Sequence, residues 1–277
     1  ILNGQAVEVA PGTPAGEYTL VYRICEKANP AICDEATVKV TVSAANILAV
    51  DDAGNSVNGY TGGMAFADVL VNDKLNGLPV NIADIVISQI SSSHPGVTLS
   101  GTSVNVAPGT PAGSYSLVYQ ICEKINPANC DQATVSVSVL AAGILATNDN
   151  GTPVNGFTGG LSMTNVLGND SLNGSAVNPS EISLSFISAS HPGVTLVGSD
   201  VHVAPGTPAG NYTLVYRICE ILNPSNCDDA LVSVPVKAAE IVAVDDAGTS
   251  VNGFVGGTSF SNVLSNDKLN GVLVNAS

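Results

Sequence analysis

The chain of 277 residues has little of several residue types on which binding and catalysis commonly depend. It has no Trp, 3 His and 2 Met, aromatic residues are 4% of the total, and 8 basic residues stand against 23 acidic ones. A formal net charge of -15 argues against nucleic acid as a partner, because such binding needs basic surface to displace counterions. The acidity instead favours solubility or cation binding.

Long hydrophobic runs are also missing. The apolar residues alternate with Ser, Thr and Asn, and no uninterrupted stretch of about 18 apolar residues exists, so the sequence predicts no membrane insertion. With so few histidines, no Ser-His-Asp or Cys-His arrangement can be assembled, and no acid, base and nucleophile set recurs. We therefore expect no enzymatic activity.

The sequence consists of internal repeats with a period of 97 residues, as the spacing of Cys25, Cys122 and Cys219 shows. This period is the size of one small β domain and exceeds the 20 to 50 residues of solenoid repeats. If Ile47 starts a unit, residues 47-143 and 144-240 are complete copies. Residues 1-46 are then the C-terminal part of a copy, and residues 241-277 the N-terminal part of another.

The chain begins and ends inside a copy, which predicts a window from a longer array of domains. The joints between copies are short, as in Ser43-Ala44-Ala45-Asn46, and lack the composition of flexible linkers. We therefore expect each copy to follow its neighbour directly. A second interpretation is that neighbouring chains complete the partial copies at the two ends.

Six cysteines form three pairs with seven residues between the members of each pair. One even pair per copy, without a histidine-rich segment, predicts one local disulfide per domain and an oxidising, extracellular compartment. Reduced buried thiols are the alternative, and a zinc site is disfavoured because zinc usually takes four ligands. The predicted disulfide residues are Cys25, Cys33, Cys122, Cys130, Cys219 and Cys227.

Period-two alternation predicts the secondary structure. In the segment 17-25, Tyr18, Leu20 and Tyr22 share one face, and the segment 36-42 repeats the pattern with Val inward. These segments predict a hairpin whose loop is closed by the cysteine pair. Further strands are predicted in the next copy at Ile47 to Val50, Ala65 to Val71, Asp84 to Ile90, Gly96 to Leu99 and Ser103 to Ala107, with Asn-Gly and Pro-Gly turns between them.

About seven short strands in roughly 100 residues, without an amphipathic helix, predict an all-β fold of tandem immunoglobulin-like β-sandwich domains. The Gly-x-Tyr at the start of the hairpin is similar to a tyrosine corner, in which a tyrosine hydroxyl bonds back to the preceding turn. A plain core tyrosine is the alternative. The candidates are Tyr18, Tyr115 and Tyr212.

Acidic and amide side chains recur just after each joint and again inside V-L-x-N-D. Calcium takes six to eight oxygen ligands, and such side chains at a domain joint would supply several of them. The alternative is Asx turns at strand ends, which need no ion. The candidate calcium ligands are Asp51, Asp52, Asn72, Asp73, Asn148, Asp149, Asn169, Asp170, Asp245, Asp246, Asn266 and Asp267.

The whole chain resembles the repeats of very large Bacteroidetes surface proteins. The resemblance rests on V-A-P-G-T-P-A-G-x-Y-x-L-V-Y-x-I-C-E-x-x-N-P-x-x-C-D, followed by A-V-D-D and V-L-x-N-D. These proteins include gliding-motility adhesins exported by the type IX secretion route. The acidic elements are also similar to cadherin-like and VCBS-type adhesin repeats, several of which bind calcium, although Asn148 replaces the first Asp in the middle copy.

The resemblance implies a non-catalytic, cell-surface stalk or filament that supports attachment or surface motility. Its expected partners are neighbouring repeats of the same chain and, by lateral self-association, other chains in a fibre. The alternative is an array of polysaccharide-binding modules, which would be multivalent. The low aromatic content and the absence of Trp disfavour this alternative.

Overall fold

The computed structural model describes residues 1-274. The last three residues of the predicted partial copy 241-277 lie outside the described part. The chain divides into two compact units, Ile1–Ala142 and Gly143–Ser277. The finer division into copies at residues 46, 143 and 240 stays a prediction.

Each unit is built from β-strands. The strands of the first unit are Leu2–Asn3, Ala6–Val7, Gly16–Cys25, Cys33–Val42, Ile47–Leu48, Asp52–Ala53, Val57–Asn58, Gly63–Phe66, Lys74–Leu75, Leu78–Pro79, Ile85–Ser92, Val97–Ser100, Ser103–Val106, Gly113–Glu123 and Cys130–Leu140. The strands of the second unit are Ile144–Leu145, Asp149–Asn150, Val154–Asn155, Gly160–Met163, Ser171–Leu172, Ser175–Ala176, Ile182–Ala189, Val194–Val197, Asp200–Val203, Gly210–Glu220, Cys227–Lys237, Ile241–Val242, Lys268–Leu269 and Val272–Leu273. A four-residue 3-10 turn spans Val166–Asn169.

The largest sheet of the copy 47-143 has a long antiparallel hairpin at its centre, formed by Gly113–Glu123 and Cys130–Leu140. Ile85–Ser92 pairs antiparallel with the first hairpin strand. Asp52–Ala53 and Val57–Asn58 pair in parallel with the second. These neighbours join the hairpin from distant parts of the chain, and alternation alone does not specify such pairing.

Two smaller sheets complete the copy. One has the order Val97–Ser100, Ser103–Val106, Gly63–Phe66, and the other has the order Leu78–Pro79, Lys74–Leu75, Ile47–Leu48. The corresponding strands of the copy 144-240 are arranged in the same order. The predicted all-β fold of tandem β-sandwich domains is therefore confirmed.

The core lies on the inward face of the long hairpin. Leu117, Tyr119 and Ile121 are each 0% exposed, whereas Val118 and Gln120 between them are only partly buried. Burying one such apolar side chain contributes roughly 1.5 to 3 kcal/mol. The alternation predicted for segment 17-25 is present on this equivalent strand, whereas on Gly16–Cys25 of the partial copy Tyr18 and Tyr22 are 41% and 37% exposed.

Two predicted strands are shorter than the sequence pattern indicated. Ile47–Leu48 ends before Val50 because the N–H of Ala49 donates to Asp131 and that of Val50 donates to Asp73. Side chains here replace the hydrogen bonds of a strand ladder. The strand predicted over Ala65 to Val71 ends at Phe66, and Val69 and Leu70 are buried in a turn instead.

The Asn76-Gly77 turn is confirmed. Both residues have positive φ, 52° and 79°, and they join Lys74–Leu75 to Leu78–Pro79 as a two-residue hairpin. This conformation is that of a type I′ turn, for which Asn-Gly is strongly preferred.

Candidate functional site: a buried aspartate and tyrosine cluster

The recurring acidic residues meet at a tyrosine hydroxyl inside the sandwich. Tyr119 is 0% exposed, Asp73 is 1% exposed and Asp52 is 8% exposed. The hydroxyl oxygen of Tyr119 lies 3.0 and 3.1 Å from the two carboxylate oxygens of Asp73 and 3.5 Å from Oδ2 of Asp52. We call these three residues and their equivalents the acid–tyrosine cluster.

Two backbone carbonyls also face the hydroxyl. The carbonyl oxygens of Val69 and Val50 lie 3.0 and 3.3 Å from it. A tyrosine hydroxyl has one hydrogen to donate, so these oxygens compete for it. The cluster therefore joins three segments that are distant in sequence: the one that follows the joint, the V-L-x-N-D turn and the long hairpin.

The same cluster is present in the next copy. The hydroxyl of Tyr216 lies 3.1 Å from both carboxylate oxygens of Asp170 and 3.2 Å from Oδ2 of Asp149. The carbonyls of Val166 and Thr147 lie 3.0 and 3.3 Å away. The geometry thus recurs although the neighbouring residues differ.

Burial sets the charge state of the cluster. Desolvation, and next the charge of Asp73, raise the pKa of Asp52 to about 6. Desolvation also raises the pKa of Asp73, because a carboxylate loses favourable hydration when it is buried. The pKa of Tyr119 is raised by burial and by the two carboxylates, so the hydroxyl keeps its proton and acts as the donor.

The Asp before each buried Asp has a different role. Asp51 is exposed, and its Oδ1 accepts the N–H of Thr134 at 2.8 Å. In the next copy, Oδ1 of Asn148 accepts the N–H of Leu231 at the same distance. The change from Asp to Asn keeps the hydrogen bond, because the position needs an acceptor and does not need a charge.

The Asn of V-L-x-N-D contributes its amide nitrogen. Nδ2 of Asn72 donates to Oδ1 of Asp52 at 3.0 Å and to the carbonyl of Asp51 at 3.3 Å. Nδ2 of Asn169 donates to the carbonyl of Asn148, and Nδ2 of Asn266 donates to Asp246. The amide oxygen, which is the atom that calcium would take, is buried without a hydrogen-bond partner in Asn72 and in Asn266.

Most of the carboxylates among the predicted calcium ligands are engaged in hydrogen bonds within the protein. Asp51 lies on the outside and Asp52 on the inside, and Oδ1 of Asp73 accepts the N–H of Val50 at 2.8 Å. Likewise, Asp170 accepts the N–H of Thr147, and Asp267 that of Val244. Among residues 1-274, no group of three or more His, Cys, Asp or Glu side chains is placed to hold a metal ion, and calcium binding stays a prediction.

The disulfide and tyrosine-corner residues lie where the sequence indicated. Disulfides join Cys25 to Cys33, Cys122 to Cys130 and Cys219 to Cys227, which confirms one disulfide in each of three copies. The tyrosine hydroxyls donate over 2.9 Å to the carbonyl of the Pro four residues earlier, in the pairs Tyr18 to Pro14, Tyr115 to Pro111 and Tyr212 to Pro208.

The sequence pattern indicated Asp52 and Asp73 as candidate ligands but not the tyrosine that joins them. It placed Tyr22, the equivalent of Tyr119, only on one face of a strand, and it grouped Asp52 with its exposed neighbour Asp51. The usable signal was that Asp, Asp and Tyr recur with the same 97-residue spacing. All three residues of the cluster in the copy 47-143 are buried.

No protein-family model matches the chain, and no curated protein matches it. Among solved structures it is similar to protocadherin gamma B2 extracellular cadherin domains 3-6, at TM-score 0.29 and 16% identity, over 80% of this chain and 60% of that one. It is similar to mouse clustered PcdhgC3 EC1-3, at TM-score 0.31 and 15% identity, over 83% of this chain and 79% of that one. It is also similar to the endo-fucoidan hydrolase MfFcnA4, at TM-score 0.31 and 13% identity, over 81% of this chain and 34% of that one.

The TM-scores of these likenesses are too low for them to define a family or a function. The chain spans 60% of the protocadherin structure and about a third of the hydrolase. The fold and the site by themselves define a class: a tandem array of disulfide-bonded β-sandwich repeats with a buried polar cluster. No helix in the described part of the chain has the length and apolarity to cross a membrane.

Proposed function

We propose that the chain is a structural repeat region of a long extracellular protein, a bacterial cell-surface adhesin stalk or filament that supports attachment or surface motility. In this proposal it has no catalytic role. The observation that carries the proposal is the acid–tyrosine cluster, which joins three distant segments in both complete copies. The recurring polar residues thereby hold the repeat together and are not displayed for a ligand.

The disulfides support the extracellular location. Cytosolic thiols are kept reduced, and disulfides persist in secreted and cell-surface proteins. Each disulfide closes the loop of a long hairpin, as Cys122 to Cys130 does. A stalk outside the cell gains from this bond because the loop cannot be extended when the chain is pulled.

One observation favours the second candidate, an array of polysaccharide-binding modules. An aromatic residue recurs in the glycine-rich turn of each copy, at Tyr60, Phe157 and Phe254, and Phe157 is 54% exposed. An exposed ring is able to stack on the apolar face of a sugar. One ring per repeat would give weak single sites that gain from multivalency.

Binding of the full chain to a panel of immobilised polysaccharides separates the two functions. A structural region is expected to give no saturable binding. Saturable binding that is lost in the Phe157→Ala variant, and kept in Phe186→Ala, would overturn the structural proposal in favour of the polysaccharide one. Phe186 is a suitable control because it is 49% exposed and has Gln89 as its equivalent in the preceding copy.

Stiffening by calcium and lateral association into fibres stay separate predictions. Calcium would have to displace the backbone N–H groups that Asp51 and Asp73 accept. Lateral association predicts that the sedimentation coefficient rises with protein concentration. A coefficient that stays constant would leave neighbouring repeats of the same chain as the expected partners.

A further inference from the structure

The loop closed by the disulfide contacts more than its own hairpin. Cys122 and Cys130 face each other at the end of the long hairpin, and the loop between them has the sequence E-K-I-N-P-A-N. Glu123 in this loop is 5% exposed. We call residues 122-130 the disulfide loop.

Glu123 and Asn129 bind the joint that precedes their own copy. Oε2 of Glu123 accepts the N–H of Ala45 at 3.2 Å and Nδ2 of Asn129 at 2.9 Å. Nδ2 of Asn129 also donates to the carbonyl of Ala45 at 2.7 Å. Both backbone groups of Ala45 are therefore satisfied by side chains of the disulfide loop.

Asn126 reaches further, into the partial copy 1-46. Its Oδ1 accepts the N–H of Ala15 at 2.6 Å. Ala15 lies at the turn just before the strand Gly16–Cys25, next to Pro14, which accepts the hydroxyl of Tyr18. The disulfide loop thus bonds to the preceding copy as well as to the joint.

These contacts are the kind that stabilise an interface. Burial by itself would raise the pKa of Glu123, but hydrogen bonds from Asn126, Asn129 and Ala45 lower it below its usual value. The carboxylate is therefore held in its charged form, and hydrogen bonds to a charged group are stronger than those between neutral groups.

The disulfide loop needs a fixed shape for this role. Backbone bonds inside it run from the N–H of Asn126 to the carbonyl of Glu123 and from the N–H of Asn129 to that of Asn126. The disulfide closes the loop at its base, so that three side chains point at two separate places on the preceding segment. Without this closure the loop would lose backbone order, and ordering it again would cost entropy.

We propose that the disulfide loop is the docking surface of the copy 47-143 for the partial copy 1-46 that precedes it, and that its disulfide sets the rigidity of this joint. This inference rests on the proposed function, since a structural array is what requires a fixed joint. The partner is the preceding copy of the same chain, recognised through backbone groups. Recognition of that kind accepts copies whose side chains differ.

Amide hydrogen exchange on the full chain tests this proposal. In a variant with Cys122→Ser and Cys130→Ser, the amides of Ala15 and Ala45 should exchange at least about tenfold faster, because opening of the joint becomes easier. The core amides of Leu117 and Val135 should change by no more than about twofold. The matched control is the variant with Cys219→Ser and Cys227→Ser, in which Ala15 and Ala45 should keep their rates.

The proposal is overturned if Ala15 and Ala45 keep their rates without the Cys122 to Cys130 bond. It is also overturned if exchange at Leu117 and Val135 speeds up as much as exchange at Ala15 and Ala45, since the disulfide would then stabilise the whole repeat and not the joint. A second variant, Asn126→Ala, leaves the disulfide in place. It should speed exchange at Ala15 and not at Ala45, and unchanged exchange at Ala15 would contradict the proposed contact.

This readout is independent of the function. Polysaccharide binding would overturn the structural proposal and leave the exchange rates of Ala15 and Ala45 as they are. Conversely, unchanged exchange at Ala15 and Ala45 in the variant without the disulfide would leave the structural proposal intact. The rigidity of the joint would then have another source.

Discussion

The hydroxyl oxygen of Tyr119 lies 3.0 Å from Oδ2 of Asp73, and both side chains are at most 1% exposed. The two residues are 46 positions apart in sequence. Their contact fixes the V-L-x-N-D turn to the centre of the long hairpin. The next copy has the same contact between Tyr216 and Asp170.

Removal of the hydroxyl tests the strength of this contact. The Tyr119→Phe variant should lower the free energy of unfolding of the copy 47-143 by about 1 to 3 kcal/mol, because buried acceptors lose their donor. Tyr22→Phe is the matched control, since Tyr22 occupies the same strand position 97 residues earlier and is 37% exposed. Denaturant unfolding followed by hydrogen exchange measures both, and equal effects would argue against the cluster.

The raised pKa of Asp52 predicts a pH dependence. A carboxyl with a pKa of about 6 in the folded state and its ordinary lower value in the unfolded chain binds more protons when folded. Its stabilising contribution is therefore fully present below about pH 4 and is lost as the pH rises through about 6. We expect the stability difference between wild type and Asp52→Asn to be more favourable to wild type at about pH 4.5 than at about pH 7.5.

Comparison with the Asp52→Asn variant is needed because other carboxyls titrate in the same range. Glu123, with its lowered pKa, has the opposite sign: its contribution is lost as the pH falls. This term is common to both proteins and cancels in their difference. A difference that does not change with pH would show that Asp52 is an ordinary carboxylate.

The exchange of Asp51 for Asn should be nearly neutral. Asn148 accepts the equivalent backbone N–H in the next copy, so Asp51→Asn should change the free energy of unfolding by less than about 0.5 kcal/mol. Asp51→Ala removes the acceptor for Thr134 and should cost about 1 kcal/mol. Chemical denaturation of the two variants checks this, and a large loss in Asp51→Asn would show that the charge itself matters.

Calcium provides a test of the residues that the sequence offered as its ligands. Since Oδ1 of Asp51 and Oδ1 of Asp73 each accept a backbone N–H, we expect added calcium to leave the thermal midpoint equal to that in a chelator at matched ionic strength. A midpoint that rises with calcium in the wild type and not in Asp73→Asn would show that these residues are calcium ligands. The rise in the thermal midpoint would then give the affinity of the protein for calcium.

The sequence predicted the strands of the long hairpin because the alternation of apolar and polar residues along a strand is a local property of the sequence. The residues Leu117 and Ile121 follow the period of two and are buried. It did not predict the short parallel strands Asp52–Ala53 and Val57–Asn58, which are two residues each and have no pattern of their own. They form because the second hairpin strand, distant in sequence, offers free backbone groups.

The cluster and the joint contacts were hidden for the same physical reason. Asp52 is 67 residues from Tyr119, and Ala15 is 111 residues from Asn126, so neither pairing leaves a mark on local sequence. Acidic residues near a joint also have two uses, as ion ligands or as acceptors for backbone N–H groups. Only the positions of those N–H groups decide between them.

Single-molecule force extension of the full chain, pulled from its ends, tests the structural proposal most directly. Two equal unfolding steps are expected, one for each complete copy. Each should release about 300 Å, since 88 of the 97 residues lie outside the disulfide loop and each extends by about 3.6 Å. A reducing agent should add about 30 Å to each step. Extension without steps, or steps whose length does not change on reduction of the disulfide, would contradict the proposal that these repeats are independent, covalently reinforced, force-bearing units.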